Sequence, residues 1–341
     1  MNIKEIAREA GVSVATVSRV LNHPENVAPK TKERILNIID EMGYKPNWFA
    51  RGLNFNKTNT IGLFIPNILN PAFVEIAEGV ELIVNQKGYT TLLCITKGEA
   101  EKERRYIQTL IDRHIDGVIL VSSLLEDEDI KMIKNQGIAV VLVGENKGNS
   151  NEPIVRIDCR DASYNAVRHL LNCGHTEIAM IYGKTPEMEN KKKIEGYELA
   201  LKEAGILIKS DYLVCEENTI EGGYVAARKL LRLSKRPRAI FTTSDLLAFG
   251  VIDAARDSEL TVPDDVAVMG FDNIRMSNLM VPKLSTVAKP LYRMGLLGAR
   301  LLLDVIESYG DEKLAMREII LQSKLKIRKS CGHKERISEI F

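Results

Sequence analysis

The sequence predicts an α/β protein: a small helical N-terminal unit followed by a core of parallel sheets with helices on both faces. Three observations carry this. From Thr60 onward, short apolar runs alternate with amphipathic stretches of helical period, the pattern of strand–helix units in a parallel sheet. Around ten such units over about 280 residues are too many for one compact sheet, so the core divides into two lobes. The first fifty-odd residues have a different period and read as short helices around a tight turn.

In chain order, Ile3, Ile6, Ala7 and Ala10 fall at i, i+3, i+4 and i+7, one apolar helix face. Gly11 breaks that helix and Ser13 is a natural N-cap for the next, whose apolar face is Val14, Val17, Val20 and Leu21. Two helices joined by a Gly-containing turn form a helix-turn-helix. The second presents Ala15, Thr16, Ser18 and Arg19 away from its apolar face, small and hydrogen-bonding groups able to reach base edges in a major groove. A third helix follows. Pro46–Asn54 then offers a segment of about eight residues capped by Asn47, too short to hold as an isolated helix, which needs roughly 12–15 residues. Gly52 weakens it further. In the core, strands are expected at 61–66, 90–95, 117–121, 139–143, 178–182, 239–243 and 266–270. Helices are expected near 72–87, 100–113, 127–135, 161–172, 191–204, 221–233, 246–258 and 291–307.

Composition narrows the function classes. Hydrophobic residues make up 45% of the chain and charged residues 27%, ordinary for a soluble globular protein. The formal charge is +1, but residues 1–60 hold nine Lys/Arg against six Asp/Glu and the remainder 38 against 40. A basic end on a near-neutral body suits a head whose affinity comes from phosphate contacts. The five cysteines are widely spaced without Cys-x-x-Cys, which suggests reduced thiols rather than a disulfide framework or zinc site. No apolar leader or run of about 18 apolar residues occurs, so the expectation is a cytoplasmic protein without a membrane segment. Gly183-Lys184-Thr185 lacks the first glycine of a phosphate loop, because Ile178 stands there. Gly174-His175 reads as a turn glycine and a structural histidine. His23, His114, His169 and His333 fit no metal spacing, and no hydrolase or metalloprotease motif is present. No enzyme, cofactor or metal is therefore expected.

Ala7, Gly11-Val-Ser13, Thr16-Val-Ser-Arg19-Val and Asn22, then Gly43-Tyr44-x-Pro46-Asn47 and Ala50-Arg51-x-Leu53, resemble the headpiece of the lactose/galactose repressor (LacI/GalR) family. The resemblance continues through Ile65-Pro66-x-x-x-Asn70-Pro71, Asp116-Gly117, Gly174-His175, Gly196-Tyr197, Asp245-x-x-Ala248-x-Gly250 and Gly270-Phe271-Asp272, covering roughly residues 2 to 330. It implies a headpiece over 1–46, a hinge helix and linker over 47–57, and a periplasmic-binding-protein-like core over 58–330. The first lobe would be about 60–158 and 290–330 and the second about 159–288, with crossings near 157–160 and 285–290. Residues 331–341 would be a polar tail.

By the same resemblance, Ser13, Val14, Ala15, Thr16, Ser18, Arg19, Asn22, Tyr44, Asn47 and Arg51 would meet a palindromic operator bound by a homodimer. Leu53 would enter the minor groove as a wedge at a central CpG step. The small Val14-Ala15 pair resembles the subset reading catabolite-response-type sites. Leu53→Ala is expected to weaken specific binding by a few kcal/mol and to reduce bending. Equal affinity and equal bending, measured by mobility shift on permuted fragments, would exclude the wedge.

The implied effector cleft departs from the sugar-binding pattern. Lys193 replaces an Arg three residues before the Gly-Tyr pair, and Lys has no planar fork. The common Asn-Asp pair is Ser244-Asp245, with Ser244 facing ligand and Asp245 capping its helix. An aromatic position is Asn218, a double aromatic is Ala72-Phe73, and an Asn-x-Asp reads Ile95-Thr-Lys97. Asn70, Phe73 and Asp272 are retained. Two readings follow. Lys97 and Lys193 could prepare the site for a sugar acid or sugar phosphate; or the cleft is vestigial and a protein corepressor docks on the first lobe, as in the catabolite-control branch. A transport binding protein would explain only the core.

Overall fold

The computed structural model describes residues 2–22, 26–43, 57–145, 152–184, 187–308 and 317–332. Two compact units divide at Thr58/Asn59. The N-terminal unit holds helices α1 (Ile3–Glu9), α2 (Val14–Asn22) and α3 (Pro29–Glu41). Asn2 and Glu5 cap α1 reciprocally: Asn2 Oδ1 accepts from the Lys4 and Glu5 amides, and Glu5 Oε2 from the Asn2 amide. Gly11, at φ +60, supplies the left-handed residue that ends α1. Ser13 Oγ accepts from the Thr16 amide at 3.1 Å and so caps α2 as expected. Ile6, Ala7, Ala10, Val17, Val20, Ile35 and Ile39 close one core. Val14 is no part of it: at 39% exposure it lies outside the apolar face to which its spacing assigned it. The hinge expectation, with Tyr44, Asn47, Arg51 and Leu53, lies outside the described residues.

The second unit contains two six-stranded sheets. The first is formed by β1 (Thr60–Ile65), β2 (Thr90–Ile95), β3 (Gly117–Val121), β4 (Ala139–Val143), β5 (Ile154–Ile157) and β11 (Glu318–Leu321). Its order is β11-β5-β4-β3-β1-β2, with every neighbouring pair parallel. Alternate residues feed opposite faces, as the strand period of two requires. Ile61, Leu63, Ile65, Ile119 and Val141 pack with α4 (Pro71–Gln86) and α11 (Leu291–Glu307). Phe64, Val118, Leu120, Val140 and Leu142 pack with α5 (Ala100–Ile111) and α6 (Asp127–Asn135).

The second sheet contains β6 (Ile178–Gly183), β7 (Leu213–Glu216), β8 (Ala239–Thr242), β9 (Ala267–Asp272), β10 (Ser285–Ala288) and β12 (Lys324–Lys326), in the order β12-β10-β9-β8-β6-β7. Only β12 runs antiparallel to its neighbour. Helices α7 (Cys159–Asn172), α8 (Glu187–Glu203), α9 (Ile220–Leu231) and α10 (Asp245–Arg256) belong to this lobe. Small residues let helices cross closely: a Cβ on Gly295 of α11 would lie 2.0 Å from the Ile76 carbonyl oxygen of α4. On Gly250 of α10 it would lie 2.0 Å from that of Ile220 at the start of α9, which gives the Asp245-x-x-Ala248-x-Gly250 motif its packing reason.

The chain passes between lobes after β5 and after β10, near the expected 157–160 and 285–290. It passes a third time at Gln322-Ser323, between β11 and β12. Residues 324–332 therefore belong to the second lobe, and the expected extent of the first lobe to 330 is corrected. The reason is that Lys324-Leu-Lys326 is a short, charged edge strand without an apolar run to announce it. The tail is corrected at its start as well. Ser330 and Cys331 are fully buried, and Ser330 Oγ donates to the Val268 carbonyl at 2.7 Å while accepting from the Ser285 amide at 2.8 Å. All five cysteines are free thiols. No helix among the described residues is long and apolar enough to cross a membrane.

Candidate DNA-reading helix and effector cleft

On α2, Ser13, Val14, Ala15 and Arg19 are exposed and Thr16 and Ser18 half-buried, while Val17 and Val20 point into the core. The result is a thin outward face of small residues with one guanidinium, shaped for a major groove. The Ser13 and Thr16 hydroxyls lie 2.9 Å apart, so both also serve the helix start. Arg19→Ala is expected to cost about 1–3 kcal/mol of operator affinity and to relax one base position. Binding assayed against a library of operator variants checks it; a uniform loss over all sequences would make Arg19 a phosphate contact.

In the core, both sheets reverse direction of growth between β1/β3 and β6/β8, the places where ligands of open α/β sheets sit beyond the carboxyl ends of the strands. Asn70 sits there as the N-cap of α4, Oδ1 accepting from the Ala72 amide at 3.0 Å, and Phe73 follows in the first helical turn, packed against the core. In the second lobe Ser244 Oγ donates to Asn218 Oδ1 and accepts from the Leu247 amide at 3.3 Å. Ser244 is thus the cap of α10, the role expected of Asp245. Asp245 turns inward instead. Fully buried, it accepts from the Ile274 amide at 2.9 Å and from the Ser277 and Thr286 hydroxyls at 2.5 Å each. Burial, then the Asp272 charge, push its carboxyl up to about 7. These bonds brace the turn after β9, where Asp272 and Asn273 hold φ of 109° and 62°, a strain that only an over-determined turn maintains.

Lys193 is not a free cation in the cleft. It is 3% exposed, its Nζ 2.8 Å from Glu189 Oε1, donating to the Thr243 carbonyl at 3.1 Å and 4.2 Å above the Phe271 ring. Lys289 Nζ stands 3.6 Å from both Glu189 Oε1 and Asp272 Oδ1. Two ammonium groups and two carboxylates thus form one buried network. Burial alone would raise the Glu189 carboxyl, but Lys193 and Lys289 overcome it and bring it down to about 2. For Asp272 burial prevails over the same two lysines, and its carboxyl is raised. Burial would lower the Lys289 ammonium; Glu189 and Asp272 raise it. Lys97 stays apart, exposed in a left-handed turn after the edge strand β2. Between the lobes, Lys192 Nζ lies 2.6 Å from Glu145 Oε2, and Arg156 flanks the same carboxylate at 3.5 Å. Sequence reasoning missed Glu189, Lys289 and Glu145. The i, i+4 spacing of Glu189 and Lys193 was a usable signal for the first; the other two meet their partners only through the fold.

The geometry agrees with known proteins. Residues 2–47 match the family described as bacterial regulatory proteins, lacI family, and residues 167–331 the periplasmic binding protein-like domain. Catabolite control protein A of Priestia megaterium is 38% identical over 303 residues, 89% of this chain and 91% of that protein. A LacI family transcriptional regulator from Enterococcus faecium, solved with bound ribose, superposes with a TM-score of 0.71 at 31% identity, covering 80% of this chain and 98% of that one. The transcriptional regulator CelR in complex with cellobiose gives 0.73 at 28% identity, covering 97% and 99%. With its reading helix, its paired doubly wound sheets and this level of identity, the chain belongs to the lacI family of bacterial regulatory proteins, DNA-binding transcription regulators with an effector-binding core.

Proposed function

We propose that this protein represses carbohydrate-related genes by binding a palindromic operator as a homodimer, and that an uncharged polyhydroxyl ligand in the cleft sets its affinity. The observation that carries the ligand class is the pairing of Lys193 and Lys289 with Glu189 and Asp272. The expected sugar acid or sugar phosphate would have to displace Glu189 to reach Lys193, exposing a buried carboxylate to an anion. A neutral sugar can exchange hydroxyls with Asp272, Asn218 and Ser244 and leave the charges balanced. Ribose and cellobiose in the two structural relatives are of this class.

The dimer rests on the operator's symmetry: two heads related by a two-fold axis read the two halves of a palindrome. Ligand moves the two lobes only through contacts that differ between open and closed states. The Lys192–Glu145 pair joins the two lobes in this structure.

Calorimetry of the full chain against neutral sugars, sugar acids and sugar phosphates, with operator binding measured alongside, is the test. Neutral sugars alone should bind and shift operator affinity. Binding confined to sugar phosphates, abolished by Lys193→Glu, would restore the anion reading. The self-satisfied network also favours a second reading, a protein corepressor on the first lobe. Its signature would be no small-ligand binding, with operator affinity raised by a phosphorylated carrier protein.

A further inference from the structure

Two thiols and an imidazole, one thiol brought from far along the sequence, meet in the second lobe away from the cleft network. His169 and Cys173 stand one turn apart at the end of α7, and the segment after β12 brings Cys331 to them. His169 Nε2 lies 3.4 Å from Cys331 Sγ and 3.5 Å from Cys173 Sγ, and the three atoms all lie within 4.8 Å of one another. Cys331 is fully buried, whereas His169 and Cys173 are half-buried. Beside His169 opens a cavity of about 500 Å³, lined also by Tyr164, Arg168, Asn172 and Lys324.

Cys173 and Cys331 also hydrogen-bond to each other, and the two sulfurs face Nε2 at nearly equal distance. Cys331 Sγ has a further weak acceptor in the Arg328 carbonyl at 3.8 Å. A shared ion accounts for both distances. With Zn–S of about 2.3 Å and Zn–N of about 2.0–2.1 Å, a tetrahedral centre separates its nitrogen and sulfur ligands by about 3.6 Å.

We propose that His169, Cys173 and Cys331 form a three-ligand site for a thiophilic cation of the Zn²⁺ class, with water in the fourth position on the cavity side. Binding replaces the two S–H protons, which leave to solvent, so two thiolates balance the dication and the site stays neutral. Arg168, at the cavity wall, is held 3.3 Å from Glu203 and so is itself compensated. The ion would fasten the C-terminal segment to α7 across 158 residues of chain, closing a large loop in the unfolded state.

The test uses the full chain with a phosphine reductant, titrated with Co²⁺ and then Zn²⁺. One equivalent of Co²⁺ should give thiolate-to-cobalt charge transfer and the visible bands of a tetrahedral centre, both displaced by Zn²⁺. Zn²⁺ should also raise the melting temperature. Cys173→Ser and Cys331→Ser should each abolish the bands and the Zn²⁺-dependent rise, and Cys215→Ser, at an exposed thiol remote in sequence, should leave both intact. Should Cys331→Ser fail to fold, the half-buried Cys173 decides alone. Absence of the bands in the wild-type chain, or bands unchanged in Cys173→Ser, overturns the proposal.

Discussion

Lys289→Met is expected to destabilise the core by about 3–5 kcal/mol, the scale for removing one partner of a buried ion pair. Lys289 stands between Glu189 and Asp272, and without it both carboxylates depend on Lys193 alone. The loss comes chiefly from stranding a charge, not from forfeiting a favourable contact, so it should be reversible. In Lys289→Met with Asp272→Asn, one ammonium again faces one carboxylate, and more than half of the stability should return. Denaturant unfolding of the two single variants and the double variant measures the coupling. A cost under about 1 kcal/mol for Lys289→Met would mean that water reaches the network. The pH response has a definite sign. Glu189, held near 2 against an ordinary 4.5, contributes stability that is present above pH 4.5 and lost as pH falls toward 2. Without Lys289 that loss should begin at higher pH.

Asp245→Asn is expected to gain stability relative to the wild-type chain as pH rises from 4 to 7, by a few kcal/mol in total. The carboxyl at about 7 lies above its ordinary 3.8, so between those values the folded chain holds a proton that the unfolded chain has released. Wild-type stability from this group therefore falls across that window and is flat beyond it. Asn carries no such charge. Its oxygen can accept from Ile274 and Ser277, and its amide can donate to Thr286 Oγ1 once that hydroxyl turns toward the Val287 carbonyl, 3.5 Å away. Melting temperatures of the pair at matched pH values check it. A difference that does not vary with pH would remove burial of a charge as the dominant effect at Asp245.

Much of the architecture was legible because its signals are local. The periodicity of Ile3, Ile6, Ala7 and Ala10, the Ser13 cap and the apolar runs of β1, β3 and β4 each settle within a few residues. Strands β7, β11 and β12 were not, being short or mixed in polarity at sheet edges. The site divides in the same way. Positions matched by motif, such as Ser244 and Asp272, lie at the carboxyl ends of β8 and β9, but motif spacing assigns no partner. Lys193 was read as a free cation because Glu189, one turn earlier, was not weighed against it, and Lys289 could not be placed beside it without the return of the chain through β10. Asp245 was read as a cap because caps are local, while its three donors lie about 30 to 40 residues further on.

The triple passage of the chain between its lobes sets a timetable for synthesis. The first lobe keeps part of one sheet face open until α11 has been made and one edge incomplete until β11, and the second cannot seal its edge until β12 and Ser330 arrive. Neither lobe can finish on the ribosome much before the other. The headpiece, by contrast, closes its own core with Ile35 and Ile39, before the first strand of the core has been synthesised. A nascent chain thus carries a finished DNA-reading head well ahead of the machinery that governs it, with broad apolar sheet faces still uncovered behind it.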